Sequence, residues 1–398
     1  MLETIIIFII VLAALIFVHE LGHFIAARSF GVRVDEFALG FGPRLFSWRL
    51  KGGGFWGETA YAINAIPFGG FVKIFGENPD EESVKGADSG RSFVNAKRWK
   101  QAIILVAGVL GNFVFAWLLI VIAMSIGTAA SPSDYPQYAN RMTNERIMID
   151  AVSPGSPADR SGIKEGDVIT GISLPSSACN FNCNSNLRSS IKTGQGINAE
   201  QAITIDAIQS EIASSTGASM TISILRDGKQ MPISVVAQKN IIQGEPNQYA
   251  IGISMEDTAT LRLPIYLAVY EGARFTWSLM QEIVVGFGTL VAGLFQGSAS
   301  VSDLTGPVGI AGMVGTAARL GLSYLLMFTA FISVNLGIVN LIPFPALDGG
   351  RLLFVAVEAA TRRQIKAGFA NAVNLVGFVL LMLLMVFVTY RDILRLFR

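Results

Sequence analysis

Both histidines of this 398-residue chain lie in one string, His19-Glu20-Leu21-Gly22-His23, set inside an apolar run from Ile5 to Ala27. On a helix, side chains four apart leave the same face about 6 Å apart along the axis, so the two imidazoles can reach one metal ion. Glu20 projects near that face, where a carboxylate can take a proton from water held by the metal. The pattern is the His-Glu-x-x-His zinc signature. Five letters with two free positions also arise by chance in soluble helices. The depth argues against chance here, because each charged group in hydrocarbon costs at least about 2.5–3.5 kcal/mol and survives only with a partner.

Two histidines are too few for catalytic zinc, which usually takes three protein ligands plus water. A second constellation runs Asn340-Leu-Ile-Pro343-Phe-Pro345-Ala-Leu-Asp348-Gly349-Gly350. Asp348 closes a broken, Pro-rich apolar segment, where it is either a third metal ligand or the cap of the helix that follows. The chemistry expected is one Zn2+ per chain on His19, His23 and Asp348, with Glu20 as the catalytic base.

Membrane helices must position these groups. The chain is 52% hydrophobic and 15% charged, the composition of an integral membrane protein with room for a polar module, and its net charge of +1 suggests no nucleic-acid partner. No Lys or Arg precedes the first apolar run, so a cleaved signal peptide is not expected. Three further runs approach or exceed the length that crosses about 30 Å of hydrocarbon: Ala102 to Met124, Leu325 to Phe344 and Ala372 to Val388. The run Ile283 to Phe295 is short and follows Glu271, Arg274 and Glu282, so Pro264 to Phe295 reads as a helix packed on the protein or lying at the interface. Four spans are expected. Arg28 and Arg33 after span 1, with Arg91, Lys97, Arg98 and Lys100 before span 2, place the loop from Gly31 to Gln101 in the cytoplasm and both termini outside. Arg391, Arg395 and Arg398 fit that rule poorly.

The boundaries that follow are an N-terminal membrane part (1–124), a polar insertion (125–257), a helical and Gly-rich segment (258–324) and a C-terminal membrane part (325–398). With four spans, spans 1 and 3 run in the same direction and bring His19 and Asp348 to similar depth. Counting Ile283 to Phe295 as a span would reverse span 3 and separate them by most of a bilayer.

The insertion is β-rich, with a helical run near Ala199 to Ser214, a strand at Met220 to Leu225, an Asp227-Gly228 hairpin turn and a strand to about Gln238. Its opening, Gly155-Ser-Pro-Ala158 through Gly162-Ile-Lys-Glu-Gly166-Asp-Val-Ile169, resembles the PDZ domains of bacterial proteases over about 149–238. Cys179 and Cys183 have no further Cys or His nearby for a metal site; they are either a local disulfide or two idle thiols.

Taken together, these strings resemble the site-2 protease family of intramembrane zinc metalloproteases, in the bacterial branch of the regulator of sigma-E protease type, with one PDZ domain rather than two. Gly40-Phe41-Gly42, Ile66-Pro67-Phe68-Gly69-Gly70-Phe71-Val72-Lys73, Gly108-Val-Leu-Gly111-Asn112-Phe113 and Gly306-Pro307-Val308-Gly309-Ile310 match as well. The resemblance implies hydrolysis of peptide bonds in or near the transmembrane segments of single-pass proteins such as anti-sigma factors, after a first cut by an upstream site-1-type protease. It implies a bacterial inner-membrane location, an extracytoplasmic PDZ domain and an active site near the cytoplasmic side. It further implies a membrane-reentrant β-loop at Ala60 to Ile74, where Gly69, Gly70 and Phe71 can pair with an unwound substrate by strand addition, or which is a hairpin with no substrate contact. Asn340, beside Pro343, either contacts the substrate backbone and oxyanion or caps the backbone freed by that proline. The rival readings are a zinc-binding membrane transporter, which would commonly show internal repeats not found here, and an inactive PDZ scaffold, which would have no need of Glu20.

Overall fold

The computed structural model describes residues 2–50, 54–78, 80–173, 204–226, 228–241, 247–297, 305–363 and 365–396. The chain forms two compact units, 1–126 with 263–398, and Gly127–Arg262 inserted between them.

The first unit is built on α1 (Leu2–Ser29), a two-strand ribbon of β1 (Val34–Arg49) and β2 (Ala60–Ile74), the short α2 (Glu81–Lys85), and α3 (Arg98–Ile126). After the inserted unit come α6 (Ile265–Gln296), α7 (Pro307–Leu320), α8 (Leu322–Leu341), α9 (Asp348–Thr361) and α10 (Ala367–Leu396). Among the described residues five helices, α1, α3, α6, α8 and α10, are long and apolar enough to cross a membrane, and α6 is the least apolar of them. Their surfaces carry bare hydrocarbon, Leu2 at 73% exposure and Leu383 at 62% among many, as expected where lipid is the solvent. The expectation for Pro264 to Phe295 was a packed or interfacial helix. The chain forms one unbroken helix there, in which Glu271 and Arg274, one turn apart, pair at 3.0 Å and so offset each other's charge.

Helix directions follow from the contacts. Glycines let α1 and α3 meet backbone to backbone and antiparallel: a Cβ on Gly22 would lie 2.2 Å from the Ala107 carbonyl, and one on Gly111 2.9 Å from that of Val18. Leu325 and Phe328 near the start of α8, with Ile332 and Leu336 further along it, share a cluster with Ile7, Phe8, Val11 and Leu15 of the first half of α1, Val314 and Phe115, whereas the turn after α8 reaches the second half of α1. α1 and α8 are therefore parallel. The Leu263 N–H bonds the Met124 carbonyl at 2.9 Å, so α6 begins beside the end of α3.

β1 and β2 each bend, β1 around Gly40 and Gly42 and β2 before Gly69, so the ribbon pairs with itself in four segments. Residues 60–63 sit between 46–49 and 36–39, and 36–39 also pair with 70–73. The inner segments join Phe24, Ala27, Ile104, Leu105 and Val355 in the core at the C-terminal end of α1. The outer part of β1, with Leu45, Phe46 and Trp48, is exposed.

The second unit is a six-stranded antiparallel sheet in the order β3 (Thr128–Ala130), β8 (Ile253–Leu261), β4 (Met142–Val152), β5 (Val168–Ser173), β6 (Ser219–Arg226) and β7 (Lys229–Val236). It carries α4 (Pro157–Arg160), capped by Ser156, and α5 (Ile205–Ser214), capped by Thr204. Alternating residues of β4, β5 and β6 close one core with Ile208 and Ile212 of α5. The Gly166-Asp167 string has a structural purpose: the buried Asp167 carboxylate pairs with the Arg226 guanidinium at 2.6 Å and accepts from the Lys164 N–H. Cys179, Cys183 and Asp227 lie outside the described residues.

Candidate metal centre

His19 and His23 are buried on α1, one turn apart, and Asp348 reaches them across 329 residues of sequence. His19 Nε2 lies 3.0 Å from Asp348 Oδ2, His23 Nε2 lies 3.2 Å from the same oxygen, and the two Nε2 atoms are 3.2 Å apart. Tetrahedral zinc with bonds of about 2.0–2.2 Å sets its ligand atoms about 3.3–3.6 Å apart, so this near-equilateral triangle fits one face of such a site in slightly contracted form. Hydrogen bonding agrees. His23 Nδ1 donates to the Ile104 carbonyl at 2.8 Å, so the neutral imidazole presents a lone pair at Nε2 toward the carboxylate oxygen. A ring nitrogen and a carboxylate oxygen at 3.2 Å call for a cation between them, a proton or a metal ion.

The turn that delivers Asp348 depends on its neighbours. Pro343 ends α8 at Leu341 and holds Ile342 extended. Asp348 then opens α9, whose N-cap is Leu347, and its carboxylate faces the histidines. The reversal is so tight that a Cβ on Gly349 would lie 2.2 Å from the Ile342 carbonyl oxygen, and one on Gly350 2.3 Å from that of Phe344. These glycines stood in the motif without an assigned role. Arg351, one turn beyond Asp348, forms an ion pair with Glu77, just after β2.

Glu20 is half-buried, and the Val72 backbone of β2 lies beside its carboxylate. Gly70 passes against it, since a Cβ there would lie 3.7 Å from Glu20 Cγ and 2.9 Å from the Ile16 side chain. Gly69 has φ +112° and lies against the Phe41 ring, which stacks on Phe71. The structure thus brings Gly70 against Glu20, while Gly69 and Phe71 lie against the Phe41 ring. Asn340 is half-buried near the end of α8 and makes no side-chain hydrogen bond among the described residues, so it does not cap the backbone ahead of Pro343.

Two residues of α3 that sequence reasoning left without a role also face the centre. A Cβ on Gly108 would lie 2.3 Å from His23 Nε2, and the Asn112 carboxamide lies 3.2 Å from His19 Nδ1. The matching string around them was visible. Which helix they face was not.

Apolar helices enclosing a His-Glu-x-x-His turn and a convergent carboxylate are the makeup of a membrane-embedded metalloprotease. Comparison with known proteins gives the family: Peptidase family M50, the site-2 proteases, matches residues 7–384, and the chain belongs to it. A Clostridium perfringens protein, named as a candidate zinc metalloprotease, is 36% identical over 385 residues, covering 96% of each chain. The zinc metalloprotease RasP of Geobacillus kaustophilus is 29% identical over 470 aligned positions, covering 100% of this chain and 99% of its own. The regulator of sigma-W protease RasP of Bacillus subtilis is likewise 29% identical, covering 99% of each. The chain is therefore a multi-pass membrane zinc metalloprotease, with zinc as its cofactor.

Proposed function

We propose that this protein cleaves single-pass membrane proteins within or near their transmembrane segments, in regulated intramembrane proteolysis at a bacterial inner membrane, with anti-sigma factors as the substrate class. The observation that carries the reading is the convergence of Asp348 on His19 and His23. In this reading the three side chains hold one zinc, which supplies Lewis acidity at the scissile carbonyl and activates water. Glu20, beside the Val72 backbone, would accept the water's proton and return it to the leaving amine. Asn340, whose carboxamide makes no hydrogen bond among the described residues, is assigned to the substrate backbone near Pro343.

The substrate must arrive unwound, because a helical peptide bond is spent on its own hydrogen bonds. The 70–74 segment pairs only with the 34–39 side of β1 among the described residues, and it lies against Glu20. Strand addition at Gly69, Gly70 and Phe71 would hold an extended substrate and satisfy its amides where lipid cannot. The sigma-W regulator named among the relatives motivates the anti-sigma substrate class and an earlier cut by a site-1-type protease.

Four crossings remain our reading, with the Gly127–Arg262 unit as an extracytoplasmic domain of the PDZ kind. α6 starts at the end of α3, and α8 starts level with the first half of α1, which is that same end of the bundle. The chain between them must cross the membrane twice or not at all. Not at all is the simpler path.

Purified protein tests the proposal on a reporter carrying a transmembrane segment. Wild type should cleave it and Glu20→Gln should not while keeping its zinc, whereas Asp348→Ala should lose both. Full cleavage by Asp348→Ala would refute the three-ligand assignment.

A further inference from the structure

We propose that Asn112 is a positioning residue, whose carboxamide oxygen accepts the Nδ1 proton of His19 and so fixes the ring with its Nε2 lone pair toward the metal. The inference rests on the zinc reading above and extends it to a residue outside the ligand set.

The argument begins with what a ligating imidazole requires. A neutral histidine carries one ring proton, so a metal at Nε2 obliges Nδ1 to hold it, and a buried N–H needs an acceptor. For His23 that acceptor is the Ile104 carbonyl of α3 at 2.8 Å. For His19 the group at hydrogen-bond distance is the Asn112 carboxamide, one α3 position set eight residues further on, at 3.2 Å. Asn112 is fully buried, and its backbone carbonyl is held by the Ser333 hydroxyl of α8 at 2.8 Å, so the side chain has a fixed base. The amide nitrogen faces Nδ1, and the amide oxygen is buried with no partner among the described residues. That orientation suits a His19 whose proton sits on Nε2, pointing at Asp348. It cannot suit a metal there, because two N–H groups would then face each other.

Amide oxygen and nitrogen are nearly the same size, so a half-turn about the last side-chain bond exchanges them without moving the backbone. The turn sets Oδ1 opposite the Nδ1 proton, and nothing else among the described residues competes for that oxygen. α3 then anchors both histidines through Nδ1, one by a backbone carbonyl and one by a side-chain carbonyl. This explains why a polar amide sits at a fully buried position of an apolar helix.

The test is zinc affinity, measured by competition with a chelating dye on the purified full chain. Asn112→Asp, which can only accept, should hold zinc within about threefold of wild type or more tightly. Asn112→Leu, similar in size but without an acceptor, should weaken binding about 10–100-fold, the usual cost of losing such a partner. Wild-type affinity in Asn112→Leu overturns the inference, as does an Asn112→Asp variant that weakens by more than tenfold, since either shows that accepting a proton is not what the amide does. Should the leucine variant fail to fold, the aspartate variant decides alone. His19→Ala separates the two levels of the argument: if wild type binds no zinc, or His19→Ala binds it as well as wild type, the metal site itself is misassigned and the Asn112 inference falls with it.

Discussion

Gly108→Ala adds one methyl group and should abolish most activity. The new carbon would lie 2.3 Å from His23 Nε2, 2.7 Å from Cε1 and 2.8 Å from Cδ2. A comfortable carbon–ring contact is about 3.5 Å, so the imidazole or the helix must give by about 1 Å. Retreat of the helix would pull apart the close backbone contact of Gly22 with the Ala107 carbonyl on the same seam. The ring is tied at its other end to the Ile104 carbonyl. A metal ligand tolerates about 0.2 Å of displacement, and a reacting group misplaced by 1 Å costs about 100-fold in rate, or about 2.7 kcal/mol of transition-state stabilisation. Overpacking adds about 1–3 kcal/mol of destabilisation. The assay is cleavage of the transmembrane reporter alongside zinc content, with Gly286→Ala as control, since a Cβ on that helical glycine meets nothing within 4 Å. We expect a loss of about 100-fold or more in Gly108→Ala and no loss in the control. Equal activity and equal zinc in both would refute the close α1–α3 approach at His23.

Gly349→Ala and Gly350→Ala should each reduce zinc content as well as activity, because their methyl groups would force Asp348's turn away from the end of α8; retention of full zinc would show that the reversal is looser. Replacing Gly127–Arg262 by a short Gly/Ser linker should leave the zinc site intact, because Met124 and Leu263 are already hydrogen-bonded. If that unit screens substrates by size, the shortened protein should also cleave substrates that have not been trimmed; slower cleavage of trimmed substrates would favour peptide capture instead. With that unit outside the cytoplasm, a membrane-impermeant thiol reagent should label Cys179 and Cys183 in intact spheroplasts after reduction; labelling only after lysis would reverse the assignment.

The reacting groups were legible because metal chemistry narrows residue type and spacing: His19, Glu20 and His23 are readable at helical period, and Asp348 is conspicuous in an apolar segment. What supports them was harder to read. β1 contains Gly40, Gly42 and Pro43, which read as loop, and its strand character comes from a bent pairing with β2 that no local pattern encodes. The length of α6 was legible, since Pro264 to Phe295 reads as one helix; Glu271, Arg274 and Glu282 obscured only that it is apolar enough to count as a candidate span. Gly108 and Asn112 act on residues 85 and 93 positions away in sequence, so their significance depends on which faces of α1 and α3 meet. β8 joins the sheet of the second unit from beyond the stretch whose turns and strands suggested that domain, because its partners β3 and β4 lie more than 100 residues earlier.

X-ray absorption at the zinc edge of the purified protein tests the central claim most directly. The account predicts one zinc per chain, a first shell of nitrogen and oxygen at about 2.0–2.2 Å with the outer-ring scattering of two imidazoles, and its loss in Asp348→Ala. A sulfur shell at about 2.3 Å, or an unchanged spectrum in Asp348→Ala, would contradict it.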